Sequence, residues 1–99
     1  MGKYNNGMKK FFYRVLDNET AVSICQKFSC SLGRLIFNNN LKKEVLAGDI
    51  LLIERCENLY LVKPTDTIKS LSKRFNKGEQ EILEKNHLDY IFCGIYIEV

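Results

Sequence analysis

Apolar and polar positions along this chain run through one cycle and then run through it again. Tyr13 and Val15 flank Arg14, and Tyr60 and Val62 flank Leu61. That every-second-residue spacing predicts a short half-buried strand in each place. The spacing then changes. Ala21, Ile24, Cys25 and Phe28 fall at i, i+3, i+4 and i+7, as do Ile68, Leu71, Ser72 and Phe75. Each set predicts one buried stripe on a helix. Thr20 and Thr67 stand where a hydroxyl can cap the first turn, and Glu19 and Asp66 place negative charge at the positive end of the helix dipole. A second, shorter helix follows in each cycle. Ser31 can cap the one carrying Leu32, Leu35 and Ile36, while Ile82 and Leu83 take the corresponding apolar places in the other. These helices end near Asn39 and Asn86, where Asn bonds to local backbone. Gly48 and Gly94 then open final strands over 50–53 and 96–99.

The two cycles are copies. "TAVSICQKF" from Thr20 and "TIKSLSKRF" from Thr67 stand 47 positions apart, and so do Tyr13 and Tyr60, Val15 and Val62, and Asn39 and Asn86. The offset drops to 46 between Gly48 and Gly94, one residue having been lost from the loop before the last strand. Each copy predicts strand–helix–helix–strand, so the chain is expected to be α+β. Two tandem βααβ units are expected, at 12–54 and 59–99, joined by a linker at 55–58. Each would pair its two strands antiparallel under two helices on one face. Units this small bury little apolar surface alone, and a two-stranded ribbon needs such cover. Phe12, Leu59 and Leu61 point away from the core if Tyr13 and Val15 point inward. They are candidates for packing the copies together or for a partner surface.

Charge and composition narrow the functional classes. Of 99 residues, 45% are hydrophobic and 27% charged, the balance of a globular chain rather than a disordered one. Fifteen basic and 12 acidic side chains leave a net charge of only +3. Lys42, Lys43, Lys73 and Lys77 are therefore read as solvated surface, and no nucleic acid is expected as partner. No apolar run approaches the roughly 18 to 20 residues that would cross a membrane, so no membrane insertion is expected. The N-terminal stretch beginning Met1-Gly2 reads as neither a signal peptide nor a myristoylation signal.

The four cysteines, Cys25, Cys30, Cys56 and Cys93, form no CxxC pair, so no metal site is expected. Cys25 belongs to an apolar helix face and the other three to loops. Three complete pairings are open, and without an export signal free thiols are the default. No acidic pair has the spacing of a glycosidase. Nothing joins a cysteine to His87, the single histidine, which reads as a solvated loop residue. The chain is expected to be no enzyme and to carry no cofactor.

Taken in order, these segments resemble the LysM domain. The family's phrase is Tyr-x-Val, a Gly-Asp-Thr turn, a helix ending in Phe or Tyr, Asn-x-Leu after the second helix, and Ile-x-Pro-Gly before the last strand. The first copy supplies Tyr13-Arg14-Val15, Asn18-Glu19-Thr20, Phe28, Asn39-Asn40-Leu41 and Val45-Leu46-Ala47-Gly48. The second supplies Tyr60-Leu61-Val62, Thr65-Asp66-Thr67, Phe75, Asn86-His87-Leu88 and Ile91-Phe92-Cys93-Gly94. The turn glycine is replaced by Asn18 or Thr65 and the proline by Ala47 or Cys93. Asn tolerates positive φ but a β-branched Thr does not, so the second turn is expected to have another shape.

The resemblance implies binding of N-acetylglucosamine-containing glycan, peptidoglycan or chitin, in a groove between the first and last loops of each copy. It implies a glycan site at Asn18, Glu19, Thr20, Leu41 and Val45, and another at Thr65, Asp66, Thr67, Leu88 and Ile91. Tyr90 would stack on sugar or cover the core. The implied role is anchoring or targeting at a bacterial cell wall or spore envelope, with synthesis in the mother-cell cytoplasm as one route when no signal peptide is read. The alternative is a protein-interaction module of a spore coat or envelope assembly whose sugar sites have decayed.

Overall fold

The computed structural model describes residues 9–99. The reading of the first residues as neither a signal peptide nor a myristoylation signal falls on positions outside that range. The elements are β1 (Lys10–Arg14), α1 (Ala21–Phe28), α2 (Leu32–Asn39), β2 (Ile50–Glu54), β3 (Leu59–Leu61), α3 (Ile68–Phe75), α4 (Glu79–Lys85) and β4 (Tyr96–Glu98). β1 pairs antiparallel with β2, and β3 with β4, in two separate two-stranded sheets. Phe12 lies opposite Leu52 and Tyr60 opposite Ile97. The fold is the small α+β arrangement expected, βααβ written twice. Among the described residues, no helix is long and apolar enough to cross a membrane.

Local chemistry explains where the helices start. Ser23 N–H donates to Thr20 Oγ1 at 3.1 Å while Thr20 N–H donates to Ser23 Oγ at 2.9 Å. Thr67 and Ser70 repeat this reciprocal cap at 3.0 and 2.9 Å. Two of the amides that a helix start leaves without partners are thereby satisfied. Ser31 caps α2 through Arg34 N–H at 3.1 Å. Ile24, Leu35 and Ile53 of the first copy and Leu71, Ile82, Ile95 and Ile97 of the second are fully buried or nearly so, and belong to one hydrophobic cluster.

Glu19 and Asp66 stand immediately before the caps and do more than add charge there. Neither lies in a first turn. Glu19 accepts from Leu16 N–H at 2.8 Å and from the Tyr13 hydroxyl at 2.9 Å, and Lys27 reaches both Tyr13 and Glu19. Asp66 accepts from Lys63 N–H at 2.8 Å and the Tyr60 hydroxyl at 2.6 Å, with Arg74 in the place of Lys27. The acid closes its turn and ties it to the preceding strand.

Asn39 and Asn86 also reach farther than local backbone. Asn39 Nδ2 donates to the Leu35 and Leu52 carbonyls, both at 2.9 Å, and its Oδ1 accepts from Leu52 N–H at 2.7 Å. Asn86 does the same with Ile82 and Glu98 at 2.8, 2.9 and 2.7 Å. Each Asn clamps the end of the second helix to the last strand of its copy.

The copies meet through α2 rather than through Phe12 or Leu61, while Leu59 is half-buried. Phe12 is 74% exposed and Leu61 lies largely in solvent. Arg34 on α2 instead grips Glu98 of β4 with two bonds, Nε to Oε2 at 2.9 Å and Nη2 to Oε1 at 2.8 Å. Gln26 Nε2 donates to the Gly94 carbonyl at 2.8 Å. His87 is not simply solvated: its ring stacks on Phe37 with centroids 4.0 Å apart. Gly33 lies directly against the Asn86 backbone.

Burial opposes the Glu98 charge, but the Arg34 fork and the Ser31 hydroxyl outweigh it and hold this carboxyl below its ordinary range. A depressed carboxylate stabilises the fold above the unfolded value, about 4.3 for Glu, and loses that contribution as pH falls through the folded value. Glu19, held down by the Leu16 amide, Tyr13 and Lys27, acts in the same direction, as does Asp66, held down by the Tyr60 hydroxyl and the Lys63 amide. The urea midpoint should therefore be flat from pH 7 to about 5 and fall below about 4. Arg34→Met should remove the Glu98 share of that fall.

Candidate functional site

The loops of each copy gather at one end of its sheet. The turn ahead of α1 closes with Glu19 N–H on the Leu16 carbonyl at 3.3 Å, and that ahead of α3 with Asp66 N–H on Lys63 at 3.0 Å. Asn18 sits at φ 67°, the left-handed region that Asn tolerates. Thr65 is not among the positive-φ residues, so the second turn has its own shape, as a β-branched residue requires. Gly48 and Gly94, at φ 94° and 93°, turn the chain into β2 and β4 in both copies.

In the second copy these loops enclose an open trough of about 320 Å³. Asp66, Thr67 and Ile91 line it, as their positions in the sequence suggested. Ile68, Leu83, Asp89 and Tyr90 complete it. Thr65 and Leu88 do not: Thr65 is exposed on the turn, and Leu88 packs against the core. Thr67 Oγ1 is already engaged as the cap of α3, and the Asp66 carboxylate by Tyr60 and the Lys63 amide. Two backbone groups are not engaged. Among the described residues, no group accepts from the N–H of Ile68 or of Ile91. Tyr90 is 70% exposed, so it forms a lip of the trough and does not cover the core.

Position Ile68 could have been found from the sequence, because the first residue after a cap always leaves a free amide. Leu83, an apolar helix position in the sequence pattern, lines the trough instead of filling the core. Nothing in the sequence pattern marked Asp89.

The first copy is built differently. Two shallow depressions flank Leu41. One has Val45, Leu46 and Asp49 on its wall, the other Ala21, Val22, Leu32 and Ile36, with Phe92 reaching in from the second copy. Asn18, Glu19 and Thr20 line neither. These depressions bring Leu41 together with Val45 in one and with Ala21 in the other, without the three turn residues. Between the loops lies Glu44, whose Oε1 accepts from Ala21 N–H at 2.7 Å and from Val45 N–H at 3.0 Å.

The remaining chemistry is quiet. All four cysteines are free thiols. Cys30 is not a surface loop residue but is buried beside Cys25, whose thiol the Cys30 hydrogen bond and burial hold far above its ordinary pKa. Burial likewise raises Cys56. Neither Cys25 nor Cys56 has the lowered pKa of a nucleophile. Among the described residues, no cluster of three His, Cys, Asp or Glu side chains could hold a metal ion.

A strand, a capped helix, an Asn-clamped second helix and a Gly-opened strand are thus in place around the second trough, and the LysM family matches this stretch. The LysM domain model matches residues 60–97. The match covers the second copy and not the first. LysM is a binding domain for N-acetylglucosamine-containing glycans, not a catalytic one. No curated protein sequence matches the chain. Among solved structures, it resembles the spore cortex-lytic enzyme SleL of Bacillus cereus at 18% identity and TM-score 0.46, over 93% of this chain and 23% of that one. It also resembles SleL of Bacillus megaterium QM B1551 at 23% identity and TM-score 0.44, over 94% and 23%. The chain thus spans about a quarter of either enzyme.

Proposed function

We propose that the chain is a non-catalytic module that binds N-acetylglucosamine polymer, peptidoglycan or chitin, through the trough of its LysM domain. One observation carries this reading: the Ile68 and Ile91 N–H groups lie unpartnered between apolar walls and an exposed Tyr90. An acetamido carbonyl can accept from such amides. Its methyl fits aliphatic surface, and the C–H face of a pyranose fits a tyrosine ring. Asp89 adds an acceptor for sugar hydroxyls. The ligand needs no charge, and few placed polar groups on an apolar lining suffice to orient it. A single trough of this size binds weakly, roughly millimolar to micromolar.

On this reading the chain is two LysM-like units, 12–54 and 59–99, with a linker at 55–58. It anchors or targets whatever it belongs to at a cell wall or spore envelope, where its polymer is. A second reading, protein interaction within a spore coat or envelope assembly, draws on the outer face of the first sheet. Phe12 and Ile50 lie there, 74% and 53% exposed.

Sedimentation with insoluble peptidoglycan or chitin separates the two. Retention that free chitotetraose competes away is expected. Tyr90→Ala should weaken binding about fivefold, the loss of roughly 1 kcal/mol of ring contact. No retention on either polymer would transfer the function to the protein-interaction reading.

A further inference from the structure

We infer that Glu44 closes the first copy to glycan, so that the chain carries one working groove, in the second copy. The inference rests on the glycan-binding reading above and concerns which copy does the binding. The duplication makes the comparison internal. Ala21 corresponds to Ile68, Val45 to Ile91 and Glu44 to Tyr90. In the second copy, Ile68 and Ile91 both line the trough, and their amides have no acceptor among the described residues. In the first, one carboxylate oxygen takes both, at 2.7 and 3.0 Å.

Glu44 thus sits where the acetamido carbonyl of a sugar would sit and makes the bonds that carbonyl would make. A charged acceptor bonds an amide more strongly than a neutral carbonyl does. It also sits at the positive end of α1, which favours it further. It is tethered, so it competes at high effective concentration against a free ligand. Weak neutral sugar cannot displace it. The same substitution removes the exposed aromatic lip that Tyr90 gives the second copy. The first copy is left as a support, its α2 holding β4 through Arg34 and Glu98.

The test is a chitotetraose titration of the whole chain, followed by amide NMR and by calorimetric stoichiometry. In the native chain, the Ile68 and Ile91 amides should shift while Ala21 and Val45 stay still, at one sugar per chain. Glu44→Ala should bring Ala21 and Val45 into the response and raise the stoichiometry toward two. Glu44→Gln keeps an acceptor oxygen and should leave the first copy silent. Movement of Ala21 and Val45 alongside Ile68 and Ile91 in the native chain would overturn the inference. So would a Glu44→Ala variant in which only the second copy responds. If Ile68 and Ile91 do not respond in any variant, the glycan reading itself fails and this division of labour falls with it.

Discussion

A Gly33→Ala chain should melt roughly 12 to 24 °C below the native one, a loss of about 3 kcal/mol at the 4 to 8 °C per kcal/mol of a domain this size. Helix propensity alone argues the other way, since alanine in place of a helical glycine gains about 1 kcal/mol. Packing decides the sign. A Cβ at Gly33 would lie 1.4 Å from the Asn86 carbonyl oxygen and 2.6 Å from its carbon. Neither is a side-chain end that can swing aside. Either α2 or the end of α4 must move, and moving either strains the Arg34–Glu98 fork and the Phe37–His87 stack together. Overpacking of this kind costs more than a misplaced methylene. Thermal unfolding followed by circular dichroism reads the effect. A melting point equal to or above the native one would mean that the copies do not meet at this surface. A Gln80→Ala control at the equivalent place in the exposed α4 should move the melting point by little, since Gln80 lies in solvent.

That contrast shows how far the sequence could be read. Positions alike in both copies were legible: Thr20 and Thr67 as caps, Ile24 and Leu71 as core, and Gly48 and Gly94 as the turns into the last strands. These report what every such unit needs to fold. Positions that differ between the copies belong to no shared pattern, and they hold much of the rest. Gly33 stands against Gln80, Arg34 against Glu81, and Glu44 against Tyr90. The first two differences build the surface where the copies meet, and the third separates an occupied groove from an open one. Periodicity reports which face of an element is buried, not what buries it. The docking of α2 on β4 is a tertiary fact with no period. For the same reason, Glu19 and Asp66 looked like dipole residues. The tyrosine six places earlier is a neighbour only once the strand and turn are folded. In the LysM trough, Thr67 and Ile91 could be placed by resemblance. The open backbone amide of Ile91 belongs to no side-chain pattern, whereas that of Ile68 follows from the cap before it.

Asn86→Ala should cost about 3 kcal/mol, and more than the same change at Asn39. The two residues make matching sets of three bonds, so bond count does not separate them. Burial does. Asn86 is 1% exposed, whereas Asn39 is half-buried. Truncating Asn86 leaves the Glu98 N–H and C=O facing a space that water cannot easily fill, while the Ile82 carbonyl keeps the Asn86 backbone N–H; each buried group so stranded costs about 1 to 3 kcal/mol. At Asn39 water can replace much of what is lost, and about half the penalty is expected. The larger effect also has a functional reach. Asn86 ends α4 and holds it to β4, and the chain between them, 87–95, supplies Asp89, Tyr90 and Ile91 to the trough. Releasing the clamp should loosen that segment before the domain unfolds. Hydrogen exchange should quicken at 88–95, and chitotetraose should bind more weakly even where the variant remains folded. Equal urea midpoints for the two Asn variants would show that burial does not set the cost. Unchanged exchange across 88–95 would show that the trough does not depend on this clamp.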